Sequence, residues 1–106
     1  YNVLMHEEVN MKIDVIVNCA AYTAVDKAED NLELCRKLNS EAPGILARAA
    51  ESNHAAMIQI STDYVFDGTA CTPYSEEDKT CPNSVYGSTK LDGEQEVMRH
   101  CIYLKL

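Results

Sequence analysis

Two short apolar runs mark the chain, at residues 15–17 and 57–60. The first is the β-branched sequence Val-Ile-Val, and the second contains Met, Ile and a further Ile. Short continuous apolar runs are typical of strands that are buried on both faces of a sheet. Each run ends in small or hydroxyl-bearing residues, in "NCAAYT" and "STDYVFDG". Both runs are therefore predicted to be buried strands.

The segment between these strands, residues 23–53, is helix-forming. Its apolar residues recur at the helical spacing that predicts one buried face, at Leu34, Leu38, Ala42, Ile45, Leu46 and Ala49. Pro43 lacks a backbone donor, so it should kink this helix or begin its second part.

A second helix is predicted near the end of the chain. Asn83 or Ser84 can cap it, and it should run through Tyr86 and Lys90 toward Arg99. The last six residues, "CIYLKL", have the composition of another strand.

This order of elements predicts the α/β class. Strands that alternate with helix-length crossovers form a parallel sheet, here a partial Rossmann-like doubly wound sheet. Ligands in such folds bind beyond the carboxyl ends of the strands. The segments "NCAAYT" and "STDYVFDG" are therefore the candidate site segments.

Composition excludes several classes of function. The 106 residues carry 17 acidic and 9 basic side chains, and a net charge of −8 disfavours a nucleic-acid partner. No apolar run approaches the roughly 20 residues that span a membrane, and no signal-peptide pattern opens the chain. Five scattered cysteines without a C-x-x-C pair indicate reduced thiols and a cytoplasmic protein. Three separate histidines without an H-E-x-x-H pattern disfavour a metal site.

Tyr86 and Lys90 are the candidate chemical groups. Residues four apart lie on one face of a helix, where a lysine ammonium can stabilise a neighbouring phenolate. Such a tyrosine can act as a general acid. A hydroxyl from Ser61 or Thr62 could bind a substrate carbonyl, which would complete a site for ketone reduction. The spacing alone favours a solvated surface pair, and it is the combination with the preceding strand end that indicates a site.

Four segments together carry a family resemblance: "NCAAYTAVDKAED", "ISTDYVFDGT", "TPYSEED" and "PNSVYGSTKLDGE". In order and spacing they resemble dTDP-4-dehydrorhamnose reductases of the extended short-chain dehydrogenase/reductase superfamily, from about residue 14 to residue 99. The resemblance implies that Tyr86 protonates the C4 oxygen of the substrate. It also implies that Lys90 tunes Tyr86, that Thr62 binds the keto group and that Asp63 lies in the substrate pocket.

The same resemblance implies a cofactor site for NADPH or NADH. Its loop would consist of three small residues, Ala20, Ala21 and Thr23, and Lys90 would contact the nicotinamide ribose beside Tyr86. The charged cluster "VDKAED" after this loop is interpreted as a solvated helix start.

The implied activity is reduction of a nucleotide-sugar substrate, dTDP-4-dehydro-L-rhamnose, to dTDP-L-rhamnose in polysaccharide biosynthesis. Two alternatives remain open. The non-catalytic regulatory subunit of methionine adenosyltransferase is similar in fold and motifs, and there the scaffold serves as a binding module. Another nucleotide-sugar reductase or epimerase of the superfamily is also compatible with these residues.

One expected motif is absent from the sequence. A Rossmann domain holds the pyrophosphate on a glycine-rich turn after its first strand, but the first of only four glycines here is Gly44. Residues 1–106 are therefore expected to be part of an NAD(P)-binding Rossmann domain, without the glycine-rich βαβ unit and without the substrate domain. We expect this piece to be inactive by itself, with an exposed sheet edge that allows self-association.

Overall fold

The computed structural model describes residues 12–69 and 73–100 and the backbone of one further strand. Three parallel strands form a single sheet in the order β1 (Val15–Asn18), β2 (Ala56–Gln59) and β3 (Tyr103–Lys105). The α/β class, the parallel sheet and all three predicted strands are confirmed. The predictions that concern the start of the chain and two of its cysteines, Cys71 and Cys101, lie outside the described residues.

Helical segments form both crossovers. The first crossover contains α1 (Val25–Ala28), α2 (Leu32–Arg36), a π-helical turn (Lys37–Glu41) and α3 (Ala42–Ser52). The second contains a 3-10 turn (Asp63–Val65) and α4 (Val85–His100). The long helix predicted around Tyr86 and Lys90 is therefore α4. No helix in the described ranges has the length and apolar content that crossing a bilayer requires.

Pro43 lies in the first turn of α3. It begins the second part of the helical segment, which is one of the two predicted outcomes. Because proline has no N–H, it cannot donate to the carbonyl of Asn39 four residues earlier. That carbonyl faces α4 instead, and a Cβ at Gly93 would collide with its oxygen. The absent side chain at Gly93 therefore lets α4 pass directly over the π-helical turn.

The predicted apolar face of the first helical segment is wrong in its first half. Leu34 and Leu38 are exposed, whereas Cys35 and Asn39 are buried against α4. The cause is the π-helical turn, which adds a residue to one turn and rotates the following residues relative to α2. Apolar residues before and after it therefore do not share one face.

The core lies between the sheet and the helices α3 and α4. Its buried members come from both layers: Ala47, Ala50, Ala55, Met57 and Val97, with Ile13, Ile16 and Leu46 packed against them. Alternate residues of a strand point to opposite faces. The helices thus cover the sheet face that carries Ile16 and Met57.

The prediction that β1 is buried on both faces is wrong for the described structure. Val15 and Val17 are 50% and 54% exposed, because the described helices pack only on the opposite face. In the sheet register Val15 lies beside Ala56 and Val17 beside Ile58, so the exposed side chains form an apolar strip. Self-association through this sheet stays a prediction.

Candidate functional site

Two side chains fix the start of α4. The Ser84 hydroxyl accepts the Gly87 N–H at 3.0 Å, which confirms the predicted cap at this position. The Glu29 carboxylate, which follows α1, accepts the Val85 N–H at 2.9 Å. Both bonds satisfy donors that a helix start leaves unpaired. The turn that carries Tyr86 is therefore tied to the segment that follows α1.

The ring of Tyr86 is held on two sides. It packs in a buried cluster with Ala28 and Cys35, and the Tyr64 ring meets it edge-on with centroids 5.5 Å apart. Within the described part of the chain its hydroxyl makes no hydrogen bond, and that oxygen is not fully buried although the residue is only 9% exposed. The structure thus fixes the ring and leaves the hydroxyl open to a ligand.

Thr62 lies at the carboxyl end of β2 and caps the 3-10 turn. Its hydroxyl oxygen accepts the Tyr64 N–H at 3.2 Å. This turn packs closely on α4, because a Cβ at Gly87 would collide with the Tyr64 carbonyl oxygen. The turn bearing Thr62 and Asp63 therefore lies against the helical turn bearing Tyr86, although no hydrogen bond in the described ranges joins Thr62 to Tyr86.

Lys90 is anchored one helical turn after Tyr86. Its side chain is buried, with 3% exposure for the residue, and its Nζ donates to the Ile60 carbonyl at 2.7 Å. Burial lowers the pKa of Lys90 from its ordinary value of 10.5, while the nearby Glu94 carboxylate opposes that shift. The ammonium is thus placed at the carboxyl end of β2.

A cavity of about 650 Å³ opens beside this strand end. The residues that line it include Thr62, Asp63, Phe66, Tyr74, Glu76 and Glu94. Phe66 and Tyr74 stack at 4.3 Å to form an aromatic wall, and Ser61 donates a hydrogen bond to the buried Glu94. In the part of the chain that the structure describes, no cluster of His, Cys, Asp or Glu is placed to hold a metal ion.

The loop after β1 is held by two buried asparagines. It contains the three small residues of the predicted cofactor loop, Ala20, Ala21 and Thr23. The Asn18 side chain accepts the Ala20 N–H at 3.2 Å. Asn39 pairs with both backbone groups of Tyr22, accepting its N–H at 2.8 Å and donating to its carbonyl at 3.2 Å. The loop backbone is thus rigidly placed with small side chains on it.

Comparison with known families decides the relationship of the chain. The family described as RmlD substrate binding domain matches residues 3–104. The chain belongs to this family. The resemblance drawn from the four sequence segments is thereby confirmed.

Relatives of this RmlD-family chain carry reductase names. It is 52% identical over 86 residues to the dTDP-4-dehydrorhamnose reductase of Mycolicibacterium smegmatis. Among solved structures, it superimposes on a dTDP-4-dehydrorhamnose reductase from Clostridium acetobutylicum with a TM-score of 0.85 at 49% identity. A dTDP-4-dehydrorhamnose reductase from Bacillus anthracis, solved in complex with NADP, gives a TM-score of 0.83 at 37% identity.

The relatives are much longer than this chain. The alignments cover 80%, 87% and 86% of the RmlD-family chain, respectively. They cover 26% of the Mycolicibacterium protein and 33% of each solved structure. The chain therefore spans about a third or less of the length of these relatives.

The structure also brings in residues that the sequence did not single out. They act on the predicted site through hydrogen bonds or charge, and they are Asn18, Glu29, Asn39, Gln59 and Glu94. Only Glu94 has a local signal, since it follows Lys90 by four residues on the same helical face. Glu29 is part of the charged cluster interpreted as solvated, and its bond to Val85 spans 56 positions.

Proposed function

We propose that the protein carrying this chain reduces the C4 keto group of dTDP-4-dehydro-L-rhamnose, giving dTDP-L-rhamnose for polysaccharide biosynthesis. The observation that carries the proposal is the placement of Tyr86 and Lys90 on α4 beside the carboxyl end of β2, where Thr62 lies. Family membership and relatives named dTDP-4-dehydrorhamnose reductase support the choice of substrate. We place this reaction in the cytoplasm, in line with the free thiols of Cys19, Cys35 and Cys81.

In this reaction Tyr86 is the general acid. When bound, NAD(P)H would supply a hydride to C4 and would be oxidised to NAD(P)⁺. The Tyr86 hydroxyl gives its proton to the C4 oxygen, so the C=O π bond is replaced by one C–H and one O–H bond. The Lys90 ammonium stabilises the phenolate that is left, and the Thr62 hydroxyl donates to the keto oxygen beforehand.

The residues present fit one part of a nicotinamide dinucleotide. Ala20, Ala21 and Thr23 offer small side chains on a fixed backbone, which permits close approach of a ligand. An ammonium has three N–H donors, and the Ile60 carbonyl occupies one, so Lys90 keeps donors for a ribose hydroxyl. NADP in the Bacillus anthracis relative supports a nicotinamide cofactor. We therefore propose that residues 1–106 are part of an NAD(P)-binding Rossmann domain.

The cavity beside β2 suits the sugar part of the substrate. Asp63, Glu76 and Glu94 contribute carboxylates, which accept hydrogen bonds from sugar hydroxyls and repel a diphosphate. We propose that the sugar ring enters this cavity with C4 toward Thr62. The reductase names of the relatives favour this function over that of a regulatory subunit of methionine adenosyltransferase.

The test is Tyr86→Phe in the complete protein that carries this sequence. Loss of a positioned general acid should lower kcat for ketosugar reduction by about 10²–10⁴-fold. The affinity for NAD(P)H, measured by fluorescence titration, should change little, since the aromatic ring remains. Tyr22→Phe is the matched control, because it removes a hydroxyl from a ring packed in the same cluster.

Two results would contradict the proposal. One is a Tyr86→Phe variant that keeps more than about a tenth of the wild-type turnover, which no essential proton donor allows. The other is a wild-type protein that fails to reduce the ketosugar but co-purifies with an adenosyltransferase and raises its activity.

A further inference from the structure

A chain of buried and partly buried hydrogen bonds crosses the sheet from the loop after β1 to Lys90. The Ala20 N–H donates to Asn18 Oδ1 at 3.2 Å, and Asn18 Nδ2 donates to Gln59 Oε1 at 2.9 Å. Gln59 Nε2 then donates to the Ile60 carbonyl at 3.2 Å, and Lys90 Nζ donates to that same oxygen at 2.7 Å. One polar path therefore connects the two ends of the candidate cofactor site.

The path has only one orientation that satisfies all of its members. The Ala20 N–H is a donor, so Asn18 must present its oxygen there and its amide N–H₂ to Gln59. Gln59 must in turn present its oxygen to Asn18 and its N–H₂ to the Ile60 carbonyl. Reversing either amide would place two donors or two acceptors against each other in a buried site, where an unmade hydrogen bond is costly.

Packing alone does not explain why residue 59 is a glutamine. The side chain is 2% exposed and lies on the helix-covered face of β2, where an apolar residue would avoid the cost of burying an amide. A carbonyl oxygen has two lone pairs. Because Gln59 donates to one lone pair of the Ile60 carbonyl oxygen, Lys90 can donate only along the direction of the other.

We propose that Gln59 is a positioning residue for the cofactor, which holds Lys90 and the loop at Ala20 in a fixed relative position. This inference rests on the proposed function, since Lys90 and the Ala20 loop are the groups proposed to face NAD(P)H. Gln59 acts through Ile60 on one side and through Asn18 on the other. Its loss should loosen both cofactor contacts while leaving Tyr86 in place.

The test is Gln59→Met in the complete protein, since methionine has a similar length and cannot make either hydrogen bond. The expected result is a KM and Kd for NAD(P)H that rise about five- to tenfold, the order of effect expected when two cofactor contacts lose their hydrogen-bonded support. At saturating cofactor kcat should also fall, because Lys90 stabilises the Tyr86 phenolate in the proposed reaction, but it should fall less than in Lys90→Met, since the ammonium is still present. If Gln59→Met does not fold, Gln59→Asn replaces it, since an amide one methylene shorter cannot reach both partners.

Met57→Val is the matched control. Met57 is fully buried two residues earlier on the same face of β2, and it takes no part in the hydrogen-bonded path. Its truncation should lower the melting temperature and leave the affinity for NAD(P)H unchanged. Equal losses of cofactor affinity in the two variants would overturn the proposal, because general loosening of the sheet would then explain both.

The remaining outcomes separate this proposal from the proposed function. An unchanged Kd for NAD(P)H in the Gln59 variant overturns the positioning role even if the wild type reduces the ketosugar. A wild type that binds NAD(P)H but reduces no ketosugar contradicts the substrate, and the Kd comparison still decides the role of Gln59. A wild type that binds no NAD(P)H overturns both.

Discussion

Gly87 lies where the first turn of α4 passes the 3-10 turn that follows Thr62. A Cβ at this position would collide with the Tyr64 carbonyl oxygen and would stand 3.2 Å from the Ser84 hydroxyl that caps the helix. The Tyr64 carbonyl and the helix at Gly87 are both main-chain groups, which cannot move aside as a flexible side chain can. The substitution Gly87→Ala should therefore push the 3-10 turn away from the helix.

The magnitude follows from three opposing contributions. Alanine in place of glycine favours a helix by about 1 kcal/mol. Overpacking against rigid neighbours costs about 1–3 kcal/mol. Disturbing the Ser84 cap costs about 1 kcal/mol more. The free energy of unfolding should thus fall by about 1–3 kcal/mol in Gly87→Ala.

Urea unfolding of the complete protein measures this change, and Gly44→Ala provides the control. Gly44 is also helical, and the atoms nearest to an added Cβ there are Glu96 Cβ and Oε2, both at 3.3 Å. These contacts are tight but are not collisions with backbone, so Gly44→Ala should keep part of the helix gain of about 1 kcal/mol. If Gly87→Ala proves as stabilising as Gly44→Ala, the close packing of the Thr62 turn on α4 does not exist in solution.

Two further predictions concern charged side chains. Lys90→Met should abolish turnover yet raise stability at neutral pH, because burial lowers the pKa of Lys90 from its ordinary 10.5 and disfavours its charged form in the folded state. Between the lowered pKa and 10.5 the unfolded chain binds more protons than the folded protein, so the stability of the wild type rises with pH. The stability advantage of Lys90→Met should therefore shrink as pH rises. An advantage that grows with pH in parallel urea titrations would contradict this. Glu29→Ala removes the acceptor of the Val85 N–H and should cost about 0.5–2 kcal/mol in the urea assay. Glu29→Gln keeps an acceptor oxygen and should lose much less, so equal losses would show that the charge and not the cap matters.

The location of the candidate site was predictable because its residues lie in contiguous segments. Tyr86 and Lys90 are four residues apart and therefore share one face of a helix. Thr62 follows an apolar run that predicts a strand. Parallel strands end at the same edge of a sheet, so topology alone brings these segments to one place. The predicted roles of these residues remain proposals that the variants above would test.

The groups that hold this chemistry in place were not predictable in the same way. Asn39, Gln59 and Glu29 make bonds to residues 17, 41 and 56 positions away in sequence, and no local pattern encodes such partners. The exposed Leu34 shows the same limit, because a single π-helical turn rotated one half of an apolar stripe away from the other.

The sequence by itself determined the α/β class, the order of the strands along the chain and the family resemblance, since these depend on local periodicity and short motifs. Only the tertiary structure decided which face of β1 is covered, which polar side chains are buried in pairs, and where glycine permits close contact. Those features depend on distances between segments that are remote along the chain. Their energies arise from burial and hydrogen bonding, and both exist only once the layers have packed.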